Sequence, residues 1–152
     1  MRVAMWKAWL VGIAVSAVTL ASLAAAQHSG NSQSAGSTAG DVERGKYLVE
    51  NVAMCGECHT PRSASGNLKY DAWLQGATTW IRPVAQIQPW ADTAPPLAGM
   101  PSFTDAQVAT VLEQGIGPEG ETLRPPMHIY HMHHEDAKAI IAYLKSLPAG
   151  TR

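Results

Sequence analysis

The hydrophobic pattern of this chain changes character several times along its length. Residues 8–23 form an uncharged apolar run, preceded by Arg2 and Lys7 and followed by Ala24-Ala25-Ala26. A basic start, an apolar run and a small-residue triplet predict an export signal over residues 1–26, cleaved after Ala26. The competing expectation is an uncleaved membrane anchor, since residues 8–26 are just long enough to span a bilayer. Residues 27–40 carry no apolar period and are rich in Ser and Gly, the composition of a flexible linker.

Helical spacing begins at residue 41. Asp41 is a plausible N-cap for a first helix reaching about residue 54, with Tyr47, Leu48, Asn51 and Val52 as a modest face. Gly45 weakens that helix, and a glycine inside a helix often marks the close approach of another backbone. Thr104 and Gln107 form a capping box for a second helix to about residue 114, and Gly115 is a natural C-cap. The clearest helix runs from residue 135 to about 147. Ala137, Ile140, Ile141 and Leu144 follow the i, i+3, i+4, i+7 spacing, Glu135 and Asp136 sit in the first turn, and Pro148 stops it. Residues 60–99 are different. They hold many Pro and Gly residues together with Trp73, Trp80 and Trp90, and so long an irregular stretch inside a compact domain implies a task, such as covering the edge of a flat cofactor. The pattern predicts a small all-α domain over residues 41–149: three main helices and one long irregular loop.

Composition narrows the function. The net charge of −1 falls to −3 if residues 1–26 are removed, and no basic run or aromatic–basic interleaving suggests a nucleic-acid surface. The chain has two cysteines, in Cys55-Gly56-Glu57-Cys58-His59. A structural zinc site wants a second pair of ligands, and a thioredoxin-like pair wants a βαβ context, which the sequence after Cys58 does not supply. Cys-x-x-Cys-His is the attachment pattern of a c-type haem. Thiols one helical turn apart each form a thioether to a haem vinyl group, and the adjacent imidazole ligates the iron. One such motif implies one covalent haem c, held by Cys55 and Cys58, with His59 as an axial ligand.

A second axial ligand can come from several downstream residues: Met100, Met127, Met132, His128, His131, His133 or His134. Met127 stands out because it follows Arg124-Pro125-Pro126 between two helices, where proline leaves little chain entropy to lose. Met132 is the alternative, expected instead to pack near the last helix. The histidines of residues 128–134 read as a solvated turn, with His128 the one able to compete for iron. His/Met ligation is that of electron-transfer cytochromes; an open sixth position would instead suit a haem sensor or enzyme.

The chain resembles monohaem, class I-type bacterial cytochromes c. The resemblance is carried by Gly45-Lys46-Tyr47-Leu48, the Cys55 to His59 motif with Thr60-Pro61-Arg62, Ala94-Pro95-Pro96-Leu97-Ala98-Gly99, Arg124-Pro125-Pro126-Met127, and the helix from Asp136-Ala137 to Ala142-Tyr143-Leu144. It implies a cytochrome c-like fold in which Gly45 crosses the last helix near Tyr143. It also implies that the Pro95 carbonyl accepts from the His59 ring, that Leu97 packs on the haem face, and that Met127 is the distal ligand. The implied function is one-electron transfer in the periplasm between redox protein partners, a membrane-linked dehydrogenase or oxidase among them, with membrane attachment only if residues 1–26 are retained. The family commonly has a proline after the ligand methionine, where this chain has His128. The stretch between His59 and Pro95 is long for a minimal member, and is similar to haem subunits of membrane-linked dehydrogenases.

Overall fold

The structure, a computed structural model, describes residues 38–86 and 89–150; the expected export signal and most of the expected linker lie outside them. Helix α1 spans Ala39–Tyr47 and runs directly into one π-helical turn, Leu48–Val52. A single-turn helix α2, Gly56–His59, follows. The irregular stretch holds a 3-10 turn at Tyr70–Ala72 and two short strands, β1 (Ala77–Thr78) and β2 (Thr93–Ala94), paired antiparallel with Ala77 opposite Ala94. Helices α3 (Asp105–Gln114) and α4 (His134–Ser146) complete the domain. The fold class is all-α, as the hydrophobic pattern predicts. No helix among the described residues is long and apolar enough to cross a membrane.

Two details of the first helix differ from the sequence expectation. Its N-cap is Thr38, not Asp41. The Thr38 hydroxyl accepts from the Asp41 amide at 3.2 Å, and the Asp41 carboxylate accepts from the Thr38 amide at 2.9 Å. Asp41 is thus the third-position partner of a capping box, one turn inside the place assigned to it, and its carboxyl is held below the usual range by those bonds to Thr38. Thr38 to Gly40, which composition places at the end of the linker, form this cap and the helix start. The apolar face also shifts. Gly45, Leu48 and Val49 are buried, whereas Tyr47 and Val52 are about half exposed. For Val52 the π turn is the cause, because its wider spacing moves the end of the turn off the α-helical register; Tyr47 lies before that turn, on the side away from α4.

Helix α4 is the centre of the core. Ala137, Ala139, Ile140, Ile141, Ala142, Tyr143 and Leu144 are all buried, so it is covered on more than the single stripe its periodicity implies. Helix α1 crosses it at Gly45, where an added methyl would overlap the Ala139 carbonyl and stand 2.8 Å from Tyr143 Cβ. The Tyr143 hydroxyl donates to Glu50 at 2.7 Å and clips the π turn to α4, and Arg44 pairs with Asp136 at 3.0 Å across the same crossing. Helix α3 matches its predicted signals: the Thr104–Gln107 capping box is formed in both directions, and Gly115 caps the end at φ 71°. Val108 and Leu112 are its buried residues, and the Leu112 carbonyl accepts from the Met132 amide at 3.0 Å.

The irregular stretch is anchored through Leu74, which is fully buried at φ 57°. Its amide donates to the Thr60 hydroxyl at 3.0 Å, and its carbonyl accepts from the Leu97 and Ala98 amides. Gly99 then donates to the Leu144 carbonyl at 2.8 Å, joining the stretch to α4.

Three substitutions test this packing by denaturant unfolding. Gly45→Ala forces the crossing apart and is expected to cost about 1–3 kcal/mol, the usual range for overpacking. Gly40→Ala, whose methyl would meet nothing nearer than 3.6 Å, is expected to be neutral or slightly stabilising. Thr60→Val keeps the shape of the side chain but orphans the buried Leu74 amide; the expected loss is about 1–3 kcal/mol.

Candidate haem-attachment site

Helix α2 is one turn long and consists of the motif itself. Cys55 caps its start, the His59 amide donates back to the Cys55 carbonyl at 3.0 Å, and the Thr60 amide donates to the Gly56 carbonyl at 3.1 Å. The two thiols therefore stand one turn apart, half-buried and not joined by a disulfide. Burial pushes the Cys55 thiol up to about 11 and raises that of Cys58, to which the neighbouring Glu57 carboxylate also contributes while Arg62 opposes it. Thiols held protonated do not suit a redox-active pair, which depends on a depressed pKa.

His59 is 6% exposed. Its Nδ1 lies 2.8 Å from the Pro95 carbonyl oxygen. A carbonyl only accepts, so Nδ1 carries the proton and Nε2 keeps its lone pair. Burial lowers the imidazole pKa, with the Pro95 bond opposing, and the ring is neutral near pH 7. Neutral imidazole with one nitrogen fixed by a carbonyl is the form that ligates a metal. Pro95 reaches this position through the irregular stretch: Gly76 donates to the His59 carbonyl at 2.8 Å, and β1 pairs with β2 just before Pro95. Leu97 is half-buried against the apolar core.

The loop carrying Met127 is tied back towards the motif. The Met127 amide closes a turn onto the Arg124 carbonyl at 3.2 Å, and the Pro125 carbonyl accepts from the Ala91 amide at 2.8 Å. Further on, the Tyr130 hydroxyl donates to the Ala53 carbonyl at 3.0 Å. Burial pushes that phenol up to about 12, and both cysteine thiols add to the rise, so the end of this loop is within electrostatic reach of Cys55 and Cys58. Met127 is half-buried and stands apart from the core cluster, whereas Met132 packs against it. His128, His131, His133 and His134 are exposed, and His134 faces Glu113 at 2.8 Å. Among the described residues no three His, Cys, Asp or Glu side chains gather into a metal site.

Buried donors offer a test of whether a haem fits. Arg62 Nε, Trp73 Nε1 and Trp90 Nε1 are buried without an acceptor among the described residues. Buried N–H groups without partners are rare and want an acceptor, and a haem brings two carboxylates. Trp90 is next to Ala91, which bonds the methionine loop, and its indole is the donor available to one of them, while the Arg62 guanidinium beside Cys58 is already paired with Glu57. The residues present therefore fit the group.

Several contacts around the motif were not legible in the sequence. The Trp73 indole lies so close to Gly56 that a methyl there would overlap the ring. Trp73 in turn stacks on Tyr70, with ring centroids 5.8 Å apart. Trp80 Nε1 donates to the Glu57 carbonyl at 3.0 Å, and the Arg62 guanidinium pairs with the Glu57 carboxylate. The one sequence clue was the small residue at position 56, whose partner no spacing reveals.

Known proteins resemble this chain over most of its length. The fructose dehydrogenase cytochrome subunit of Gluconobacter japonicus is 33% identical over 118 residues, which is 72% of this chain and 22% of that protein. A diheme cytochrome c-type protein of Cereibacter sphaeroides is 32% identical over 127 residues, 75% of this chain and 38% of that protein. The cytochrome c subunit of a quinone alcohol dehydrogenase from Gluconobacter oxydans is 30% identical over 123 residues, 72% of this chain and 24% of that protein. The matched region thus spans well under half the length of these curated relatives. No family model matches the chain. The motif, the all-α fold and these relatives lead to one conclusion: the chain is a cytochrome c, related to the cytochrome subunits of bacterial dehydrogenases.

Proposed function

We propose that this chain is a monohaem electron-transfer protein acting outside the cytoplasm. Cys55 and Cys58 would hold one haem c by thioether bonds, His59 Nε2 and Met127 would ligate its iron, and residues 1–26 would direct export to the periplasm. The bound haem supplies one-electron chemistry at iron. The observation that carries the reading is the His59 ring, buried and neutral, with Nδ1 held by the Pro95 carbonyl and Nε2 left free on the same helical turn as both thiols. The chain's own work is to fix that imidazole, to seat a thioether from a proline-braced loop, to exclude water with Leu97 and the tryptophans, and to offer the Trp90 indole as a donor to a haem carboxylate. A thioether opposite histidine raises the reduction potential. No group transfer is assigned to the chain; its partners are a redox donor and a redox acceptor, met in weak, transient encounters.

A second reading shares the same site. The relatives are named as subunits of fructose, alcohol and gluconate dehydrogenases, which supports a place for this chain as the haem-bearing part of a larger oxidoreductase. Any substrate oxidation then belongs to the partner. Purification as a stable complex with a dehydrogenase selects this reading over a free carrier.

Met127→Ala is expected to abolish the thioether–iron absorption band of the oxidised protein and to lower its potential, while Met132→Ala keeps the band. The reverse pattern makes Met132 the ligand. Carbon monoxide added to the reduced wild-type protein at neutral pH is expected to bind slowly or incompletely. Fast, full binding excludes a six-coordinate carrier and favours an open-site sensor or enzyme.

A further inference from the structure

The charged cluster beside Cys58 has no part in attaching haem, yet every member of it is held in place. Glu57 occupies the second variable position of the motif, adjacent to Cys58 in the chain. Its carboxylate pairs with the Arg62 guanidinium, and Arg62 Nη1 also donates to the Gly66 carbonyl at 2.7 Å. The guanidinium lies over the Trp80 ring, 4.8 Å from its centroid. Trp80 closes the circuit by donating from Nε1 to the Glu57 carbonyl at 3.0 Å. The Arg62 side chain is 23% exposed, less than Glu57 at 48%, and its Nε is buried with no acceptor among the described residues. A surface ion pair between two freely moving side chains contributes little. This one is fastened by a backbone carbonyl, an aromatic face and an indole hydrogen bond, so the two charges keep fixed positions.

We propose that Glu57 and Arg62 are a compensated charge pair in which each charge offsets the other's pull on the reduction potential, and that Trp80 positions Arg62 within it. The inference rests on haem being attached at Cys58. Reduction lowers the positive charge at the iron by one. A fixed anion nearby favours the oxidised form and lowers the potential, and a fixed cation raises it. With both present at neighbouring positions the two effects largely cancel. Each charge alone displaces the potential in its own direction.

The test is redox titration of the purified haem-loaded protein as wild type, Glu57→Gln, Arg62→Gln and the double variant, at low and high salt. Glu57→Gln is expected to shift the potential upward and Arg62→Gln downward, with the double variant returning close to wild type. Both single shifts are expected to shrink in 1 M salt, where the screening length falls to about 3 Å from about 30 Å at 0.01 M. Arg62→Lys, which keeps the charge but loses the fork, is expected to recover most of the Arg62→Gln shift. Trp80→Leu is expected to move the potential in the same direction as Arg62→Gln and by less, because the cation is then no longer held. Single variants at the wild-type potential, or shifts of one sign that salt does not change, overturn the proposal while leaving the electron-transfer reading intact. If Arg62→Gln fails to load haem, Glu57→Gln decides alone by the same criteria. Wild-type protein without covalent haem, measured by intact mass, overturns the electron-transfer reading and this proposal with it.

Discussion

The hydrogen bond from His59 Nδ1 to the Pro95 carbonyl organises the rest of the site. It joins residues far apart in sequence and fixes the tautomer, and it directs the remaining nitrogen away from the carbonyl. The irregular stretch between them is arranged to make this bond possible. Leu74 is the buried pivot, the Thr60 hydroxyl satisfies its amide, and β1 and β2 bring the chain back so that Pro95 arrives beside the imidazole. A loop of this length would cost conformational entropy if left free. Here its backbone groups are paired one by one to the motif and to α4, and the ordering follows from those bonds rather than from regular secondary structure.

The helices serve as the frame for that loop. Helix α4 is buried around most of its circumference, and burying side chains such as Ile140 and Leu144 contributes roughly 1.5–3 kcal/mol each before entropy is counted. Gly45 lets α1 come against it at backbone distance, and the π turn that follows delivers the chain to Cys55, whose amide donates to the Val49 carbonyl at 3.0 Å. The crossing of the first and last helices therefore fixes the start of the haem motif, while the methionine loop hangs between α3 and α4 and is steadied by Tyr130 and Pro125.

Much of this could be read from the residues because the strongest signals are local. A capping box, a C-cap glycine and a clean helical period each depend on a few neighbouring residues, and α3 and α4 appear with those signals intact. The Cys55 to His59 motif is equally local. What escaped was mostly tertiary. Asp41 reads as a cap because Thr38 lies at the end of a Ser- and Gly-rich stretch, although Thr38 and Asp41 carry the spacing of a capping box. The π turn moved Val52 off the buried face of the first helix, and a widened turn leaves no periodic trace in so short a segment. The side chain standing over Gly56 and the charge facing Arg62 depend on where a long loop folds, and a stretch full of prolines and tryptophans declares only that it is irregular. Pro95 was placed by likeness to a family rather than by spacing, and its carbonyl does lie beside His59.

The one-turn helix has a further meaning for how such a motif can be exchanged between proteins. In Cys-x-x-Cys-His the two middle residues are conventionally interchangeable. Here neither is. Position 56 has no room for a side chain because the Trp73 indole occupies it, and position 57 offers its carbonyl to Trp80 and its carboxylate to Arg62. The spacer is thereby keyed to the loop that follows it. A motif grafted from another cytochrome would bring the right sulfur and nitrogen atoms, and would seat beneath this loop only where its second residue is glycine.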